Sequence, residues 1–365
     1  MKPRLFVFGL GYVGLRVARE ALACGYEVSG SVRHGCDAQA RLNALATLGI
    51  AGCTFDLDES YGGLSDFGVE QLRRATHVLG TVPPVADLDR DPLLELHMKD
   101  LLDTIEKGDL RWAGYLSTTG VYGDHGGDWV DETSETRGVG SGPRLRAEDG
   151  WLSLSNVGER TIRARVFRLA GIYGPGRSAL DVVAKASEMY TVPPGTPDPG
   201  TNGWGRQLGT SSISAASATL QVPDVDGDHS CLDSPPPRFV SRIHVDDVVR
   251  TLICSIDAAM PSDSKPLSPQ GNPPCVDAYT VYNVADDAPA PRMEVMRYAW
   301  QLMGEPKETS FTMLEGTGKR ARRRASENKR VRNRRMRELL GTQGLLFPDY
   351  KMGLEAIKFG AGRDH

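Results

Sequence analysis

A short apolar run over residues 4–8 breaks at Gly9 and gives way to a helical pattern in which Val13, Val17, Ala21 and Leu22 share one face. Gly25 supplies a stop to that helix. Further strands are expected over residues 26–32, 50–55 and 77–82, the last ended by Pro83 and Pro84 because proline has no N–H to give to a ladder. A helix near 93–106 then leads to a strand over 113–117. Pro143 opens a helix to about residue 153, since the first turn tolerates proline, and 163–169 is another strand. Residues 281–284 read as a strand, and Pro291 opens a helix whose Met296, Ala299, Trp300 and Met303 share a face before Gly304 and Pro306 stop it. Strands alternating with helices predict an α/β fold: a Rossmann-like doubly wound parallel sheet with right-handed crossovers. With 365 residues, a smaller domain built from later segments is expected beside it.

The apolar pattern lapses twice. Residues 191–238 are rich in Pro, Gly, Ser, Thr and Asp, and 261–276 repeat that character over a shorter stretch. The first lacks the apolar surface to offset the entropy of ordering and is expected to be a loop or disordered insertion without chemistry; the second is expected to be a shorter insertion. The nucleotide domain is then expected over 1–175, with 239–260 and 278–286 returning to it or to the domain junction. Residues 176–190 and 287–365 form the second domain.

The candidate chemistry sits where strands end. Gly9, Leu10, Gly11, Tyr12, Val13 and Gly14 form a G-x-G-x-x-G turn between a strand and a helix, the context that dinucleotide binding requires. Gly9 makes the turn, Gly11 lets the backbone approach a pyrophosphate, and Gly14 lets the helix pack close to the strand. The helix N-terminus then faces the phosphates. At the end of the second strand an acid would bind a free ribose 2′-hydroxyl, whereas an Arg accommodates a 2′-phosphate. Arg33 stands there with no acid beside it, which favours NADP over NAD; the alternative is a solvated Arg33 with Asp37 reaching back. Asp56 suits a contact near the adenine, and Val82 and Ser117 complete the cofactor set. The stretch 115–124, YLSTTGVYGD, puts hydroxyls at the carboxyl end of a central strand, where open α/β sheets bind ligands.

A formal net charge of −4 offers no global electrostatic argument for nucleic acid or membrane binding, so neither partner is expected. No apolar run approaches the roughly 18 residues that would suggest a membrane span. Because the first strand begins near Arg4, no targeting segment is expected and a cytoplasmic protein is inferred. The six cysteines show no C-x-x-C pair and no histidines at metal spacing; they read as reduced thiols, and no metal site is expected. The basic run 319–337 has two readings, a nuclear-localisation or nucleic-acid patch and a solvated helix face or wall toward an anionic substrate; the second is favoured, since the net charge is slightly negative and no nucleic-acid motif accompanies it.

Taken together, GLGYVG, the PP after the fourth strand, YLSTTGVYGD, FRLAGIYGPGRSALD, SRIHVDDV, YNVADD and SENKRVRN resemble the NAD-dependent epimerase/dehydratase family, the extended or atypical branch of the short-chain dehydrogenase/reductases. The resemblance spans nearly the whole chain apart from the two insertions. It implies a Rossmann domain, a small and mostly C-terminal substrate domain, and an NAD(P)-dependent oxidoreductase or epimerase of a small polar, sugar-like or nucleotide-sugar-like substrate; a homo-oligomer is compatible with it. Thr118 matches the family's catalytic Ser/Thr, the other reading being a turn-capping hydroxyl. His244 falls in a segment that orders structure between the domains. The departure is in Tyr-x-x-x-Lys: anchored on Glu148, the lysine position is Arg144 and the tyrosine position is Gly140. Arg144 can orient the nicotinamide ribose but, always protonated, cannot carry the proton. Tyr122 and Tyr173 are the nearby phenols that could substitute, although a packing or cofactor-contact role is the favoured reading of each. The alternative function is a non-catalytic NAD(P)-binding or redox-sensing protein.

Overall fold

In the computed structural model, residues 2–57, 62–85, 91–191, 237–259, 278–304 and 327–360 are described. The strand β1 (Arg4–Phe8) has Leu5, Phe6, Val7 and Phe8 fully buried, so both of its faces are covered, as in a parallel sheet flanked by helices. Gly9 turns the chain at φ +90°, and α1 (Gly14–Ala23) follows with Val17, Ala18 and Ala21 on its buried face. Next come β2 (Glu27–Arg33), α2 (Ala38–Thr47), β3 (Ala51–Asp56), β4 (Gly63–Leu64), α3 (Asp66–Arg73) and β5 (His77–Gly80). The helix α4 (Pro92–Lys107), capped by Asp91, leads to β6 (Trp112–Thr118). The strand expected to reach residue 82 ends at Gly80, ahead of the two prolines.

After β6 a 3-10 turn (Thr119–Tyr122) and β7 (Trp129–Val130) precede α5 (Gly142–Ser153). The hairpin β8 (Asn156–Val157) and β9 (Arg160–Thr161) returns the chain to β10 (Arg163–Leu169). Then come β11 (Gly171–Tyr173), α6 (Ala179–Thr191), β12 (Phe239–Val240), β13 (Arg242–His244) and α7 (Val245–Ala258). The described remainder holds β14 (Val281–Val284), β15 (Ala290–Pro291), α8 (Arg292–Met303), β16 (Arg330–Val331), α9 (Arg334–Leu340) and α10 (Tyr350–Phe359). The expected insertion 191–238 lies outside the described residues except at its margins, and 261–276 lies outside them entirely.

Eight strands form one sheet in the order β14-β10-β6-β5-β1-β2-β3-β4, every pairing parallel except β3 with β4. The chain winds outward from β1 one way through β2 and β3, and the other way from β5 through β6, β10 and β14. That reversal opens a crevice outside the carboxyl ends of β1 and β5, where open α/β sheets take ligands. One core, with Val17, Val248, Leu252 and Met336, covers one face of the sheet; another, with Leu72, Leu93, Leu101 and Trp151, covers the other. A third core joins α6, α8 and α10 through Val183, Val295, Ala299 and Leu354. Among the described residues no helix is long and apolar enough to cross a membrane.

Candidate cofactor and catalytic site

The glycine turn lies at the switch between β1 and β5. Gly9 N donates to the Ser31 hydroxyl at 3.1 Å and Leu10 N to the Ser31 carbonyl at 2.8 Å, which ties the turn to β2. Thr81 Oγ1 lies 2.8 and 2.7 Å from the Phe8 and Gly9 carbonyls, tying it to the end of β5. A Cβ on Gly14 would stand 2.2 Å from the Gly9 carbonyl oxygen, so no larger residue fits without moving backbone. At Gly11, by contrast, nothing lies within 4 Å of the place a Cβ would take. Leu10 and Val13 have buried side chains and present only backbone, at the start of a helix whose first N–H groups have no intrahelical acceptor.

Arg33 is exposed on the last rung of β2, opposite Phe55. Arg41, from α2, reaches back to the Leu10 carbonyl with Nη2 at 3.3 Å, a neighbour of the turn that sequence reading missed. Asp56 is half-buried at the end of β3, and Val82 lies against Gly9, its Cγ2 3.1 Å from the place a Cβ would take.

The carboxyl end of β6 holds the second half of the site. Thr118 is half-buried, and its Oγ1 accepts from Gly120 N at 3.1 Å, so the hydroxyl does cap the turn that follows. Arg144, on α5, donates from Nη1 to the Tyr115 hydroxyl at 2.9 Å and to the Leu116 carbonyl at 3.3 Å, which brings its guanidinium to the strand end that carries Thr118. Gly140 is exposed with φ +66°, a left-handed conformation that a tyrosine would adopt only under strain. The loop around it is pinned under the 3-10 turn by Gly138 N donating to the Val121 carbonyl at 2.9 Å.

Two expected contacts are redirected inward. The Ser117 hydroxyl is buried and donates to Glu148, so it faces α5 rather than a ligand. Tyr122 is fully buried: its hydroxyl donates to Asn283 Oδ1 at 2.7 Å and accepts from Arg168 Nη1 at 3.0 Å. Burial also raises its pKa against the lowering effect of Arg168, so the phenol stays protonated, with its proton committed to Asn283. Arg168 in turn grips Glu148, with Nη2 2.7 Å and Nε 3.1 Å from Oε2. Asn283 N donates to Glu132 Oε1 at 2.7 Å, and Arg335 Nε lies 3.6 Å from the other oxygen. A buried polar chain therefore runs from Ser117 through Glu148, Arg168, Tyr122 and Asn283 to Glu132, beneath the strand ends.

Tyr173 is buried, with its hydroxyl donating to the Asp349 carbonyl at 3.3 Å, so this phenol too is turned inward. His244 caps α7, its Nδ1 accepting from Asp246 N at 3.2 Å, and packs between Tyr173 and Phe347. Burial lowers its pKa to about 4. Burial raises the buried Asp286 carboxyl to about 8, opposed by Arg242. Cys24 and Cys53 are held protonated by burial, at about 11 and about 12. Among the described residues no group of three or more His, Cys, Asp or Glu could hold a metal ion.

No family model matches the chain, and no curated protein matches it. Solved structures do. A functionally unknown conserved protein from Silicibacter pomeroyi DSS is 29% identical over 99% of both chains, with a TM-score of 0.65. UDP-glucuronic acid 4-epimerase from Bacillus cereus, solved in complex with NAD, is 14% identical over 98% of this chain and 97% of its own, with a TM-score of 0.58. The dTDP-glucose 4,6-dehydratase from Bacillus anthracis str. Ames, also in complex with NAD, is 12% identical over 100% and 97%, with a TM-score of 0.57. The chain thus has the Rossmann-like fold of NAD-dependent epimerases and dehydratases, in line with the resemblance read from its motifs.

Proposed function

We propose that the chain is an NADP-dependent oxidoreductase or epimerase acting on a small polar, sugar-like substrate. The observation that carries this reading is a glycine turn with open space over Gly11, on the same edge of the sheet as Thr118 and Arg144. When bound, the nicotinamide would supply the hydride acceptor or donor. The turn from Gly9 to Gly14 would hold the pyrophosphate, and Arg33, with Arg41 behind Leu10, would meet the 2′-phosphate through charge-assisted hydrogen bonds. Thr118 would hydrogen-bond the substrate oxygen, and Arg144 would stabilise negative charge developing there. With Tyr122 and Tyr173 turned inward and arginine always protonated, the proton would come from water.

A second reading, a non-catalytic dinucleotide-binding or redox-sensing protein, is favoured by one observation: Gly140 stands, in a left-handed conformation, where the resembling family has its tyrosine. Calorimetric titration with NADP and NAD, followed by turnover assays on a panel of nucleotide sugars, separates the possibilities. NADP is expected to bind more tightly, and Arg33→Asp to reverse or erase that preference. Tighter NAD binding by the unmodified protein sinks the NADP assignment, and NADP binding without turnover of any substrate favours the sensing role.

A further inference from the structure

Tyr12 is held between two guanidinium groups that arrive from different parts of the fold. Arg16, one turn along α1, has its Cζ 4.0 Å from the ring centroid and donates from Nη1 to the Tyr12 carbonyl at 2.8 Å. Arg177, from the segment leading into α6, has its Cζ 5.4 Å from the same centroid. Its backbone is fixed by a tight turn in which Gly174 N and Arg177 N donate to each other's carbonyls at 3.2 and 3.0 Å. The Tyr12 hydroxyl closes the contact by donating to the Pro175 carbonyl at 3.2 Å. A Cβ at Gly174 would stand 2.6 Å from that hydroxyl, so the turn is packed directly onto the phenol.

Among the described residues neither guanidinium is in a salt bridge, although Asp181 and Asp246 lie close enough to act on Tyr12 electrostatically. Two cations over one ring, neither paired with a carboxylate among the described residues, thus flank the residue that follows Gly11. Stacking on the ring leaves the donor edge of a guanidinium available, and its planar fork suits two oxygens of a phosphate. We propose that Arg177, supported by Arg16, binds the pyrophosphate of the dinucleotide, so that the segment leading into α6 contributes a charged ligand to the cofactor site. This inference rests on the dinucleotide reading above. Tyr12 then acts as a positioning residue that aims both arginines at the open face of the turn.

The test titrates three probes by calorimetry: NADP, ADP-ribose, which has the pyrophosphate but no 2′-phosphate, and adenosine 2′-monophosphate, which lacks the pyrophosphate. Arg177→Gln is expected to weaken NADP and ADP-ribose about tenfold or more, the range for hydrogen bonds to charged groups, while adenosine 2′-monophosphate is unaffected. Arg177→Lys should fall between, because it keeps the charge and loses the fork. Arg177 is exposed, so folding of the glutamine variant can be checked by an unchanged unfolding temperature. Unchanged ADP-ribose affinity in Arg177→Gln overturns the proposal, as does an equal loss for all three probes, which would mark a structural role. If the parent protein binds none of the probes, the dinucleotide reading itself fails and takes this inference with it; if the parent binds and the variant matches it, only the inference fails.

Discussion

Removing the Glu148 carboxylate should be among the most damaging single changes available in this chain. Its side chain is 3% exposed and that of its partner Arg168 is 9% exposed, so the pair is shielded from water. Burial alone would pull the Arg168 pKa down; hydrogen bonds and charge from Glu148 more than offset this and hold it raised. In Glu148→Gln the Arg168 cation remains, because arginine does not deprotonate at accessible pH, and it now faces a neutral amide. Breaking a buried pair in this way typically costs about 3 to 5 kcal/mol. That is a large share of a native stability of roughly 5 to 15 kcal/mol. Removing both charges together is different, since buried ion pairs replaced by apolar residues of similar volume are often neutral or stabilising. The double variant Glu148→Leu with Arg168→Met should therefore recover most of the loss. Urea unfolding followed by fluorescence and circular dichroism gives these effects, and the single variants Glu148→Leu and Arg168→Met close the cycle that yields their coupling. A Glu148→Gln variant within about 1 kcal/mol of the parent would refute the reasoning, because that is the scale of an exposed ion pair.

The same pair shows what a sequence can and cannot disclose. Arg168 lies on one rung with Ser117 of β6 and Asn283 of β14, so three residues from distant parts of the chain meet only because β10 pairs with both strands in that register. Glu148 was legible as a motif anchor, but its partner was not, since nothing local distinguishes Arg168 from the other arginines of a strand that also carries Arg163 and Arg165. A charged residue inside an otherwise buried strand was the available signal. By contrast, β1 and its turn were legible because a four-residue apolar run and three glycines at fixed spacing are local facts. The helices α2 and α3 went unread for the opposite reason. In α2 only Ala38 and Leu45 are buried, which leaves no apolar stripe, and α3 has eight residues with only Gly68 and Leu72 buried. Thr118 was singled out by its neighbours in the sequence, whereas the inward turn of Ser117 and Tyr122 depends on α5 and β14 and could not be read from the motif.

Gly14→Ala should lower both stability and dinucleotide affinity, because the new Cβ would lie 2.2 Å from the Gly9 carbonyl; overpacking of this kind costs about 1 to 3 kcal/mol, and parental affinity in a titration would contradict it. Burial holds His77 and His244 neutral, at about 3 and about 4, so stability should fall as pH drops from about 6.5 toward 4. Asp286 has the opposite sign: raised to about 8 by burial, it makes stability fall as pH rises from about 4 to about 8, and Asp286→Asn should flatten that limb of a pH series of thermal melts. Thr118 requires a test that separates its two roles, since its hydroxyl caps the 3-10 turn at 3.1 Å and is also the proposed contact to the substrate oxygen. Loss of the cap in Thr118→Val should cost about 1 kcal/mol, whatever the hydroxyl does in catalysis. If the substrate contact is real, Thr118→Val abolishes turnover with NADP affinity unchanged, while Thr118→Ser keeps both the cap and the activity. If Thr118→Val melts earlier yet turns over an identified substrate at the parental rate, the hydroxyl is a cap alone and the catalytic assignment fails.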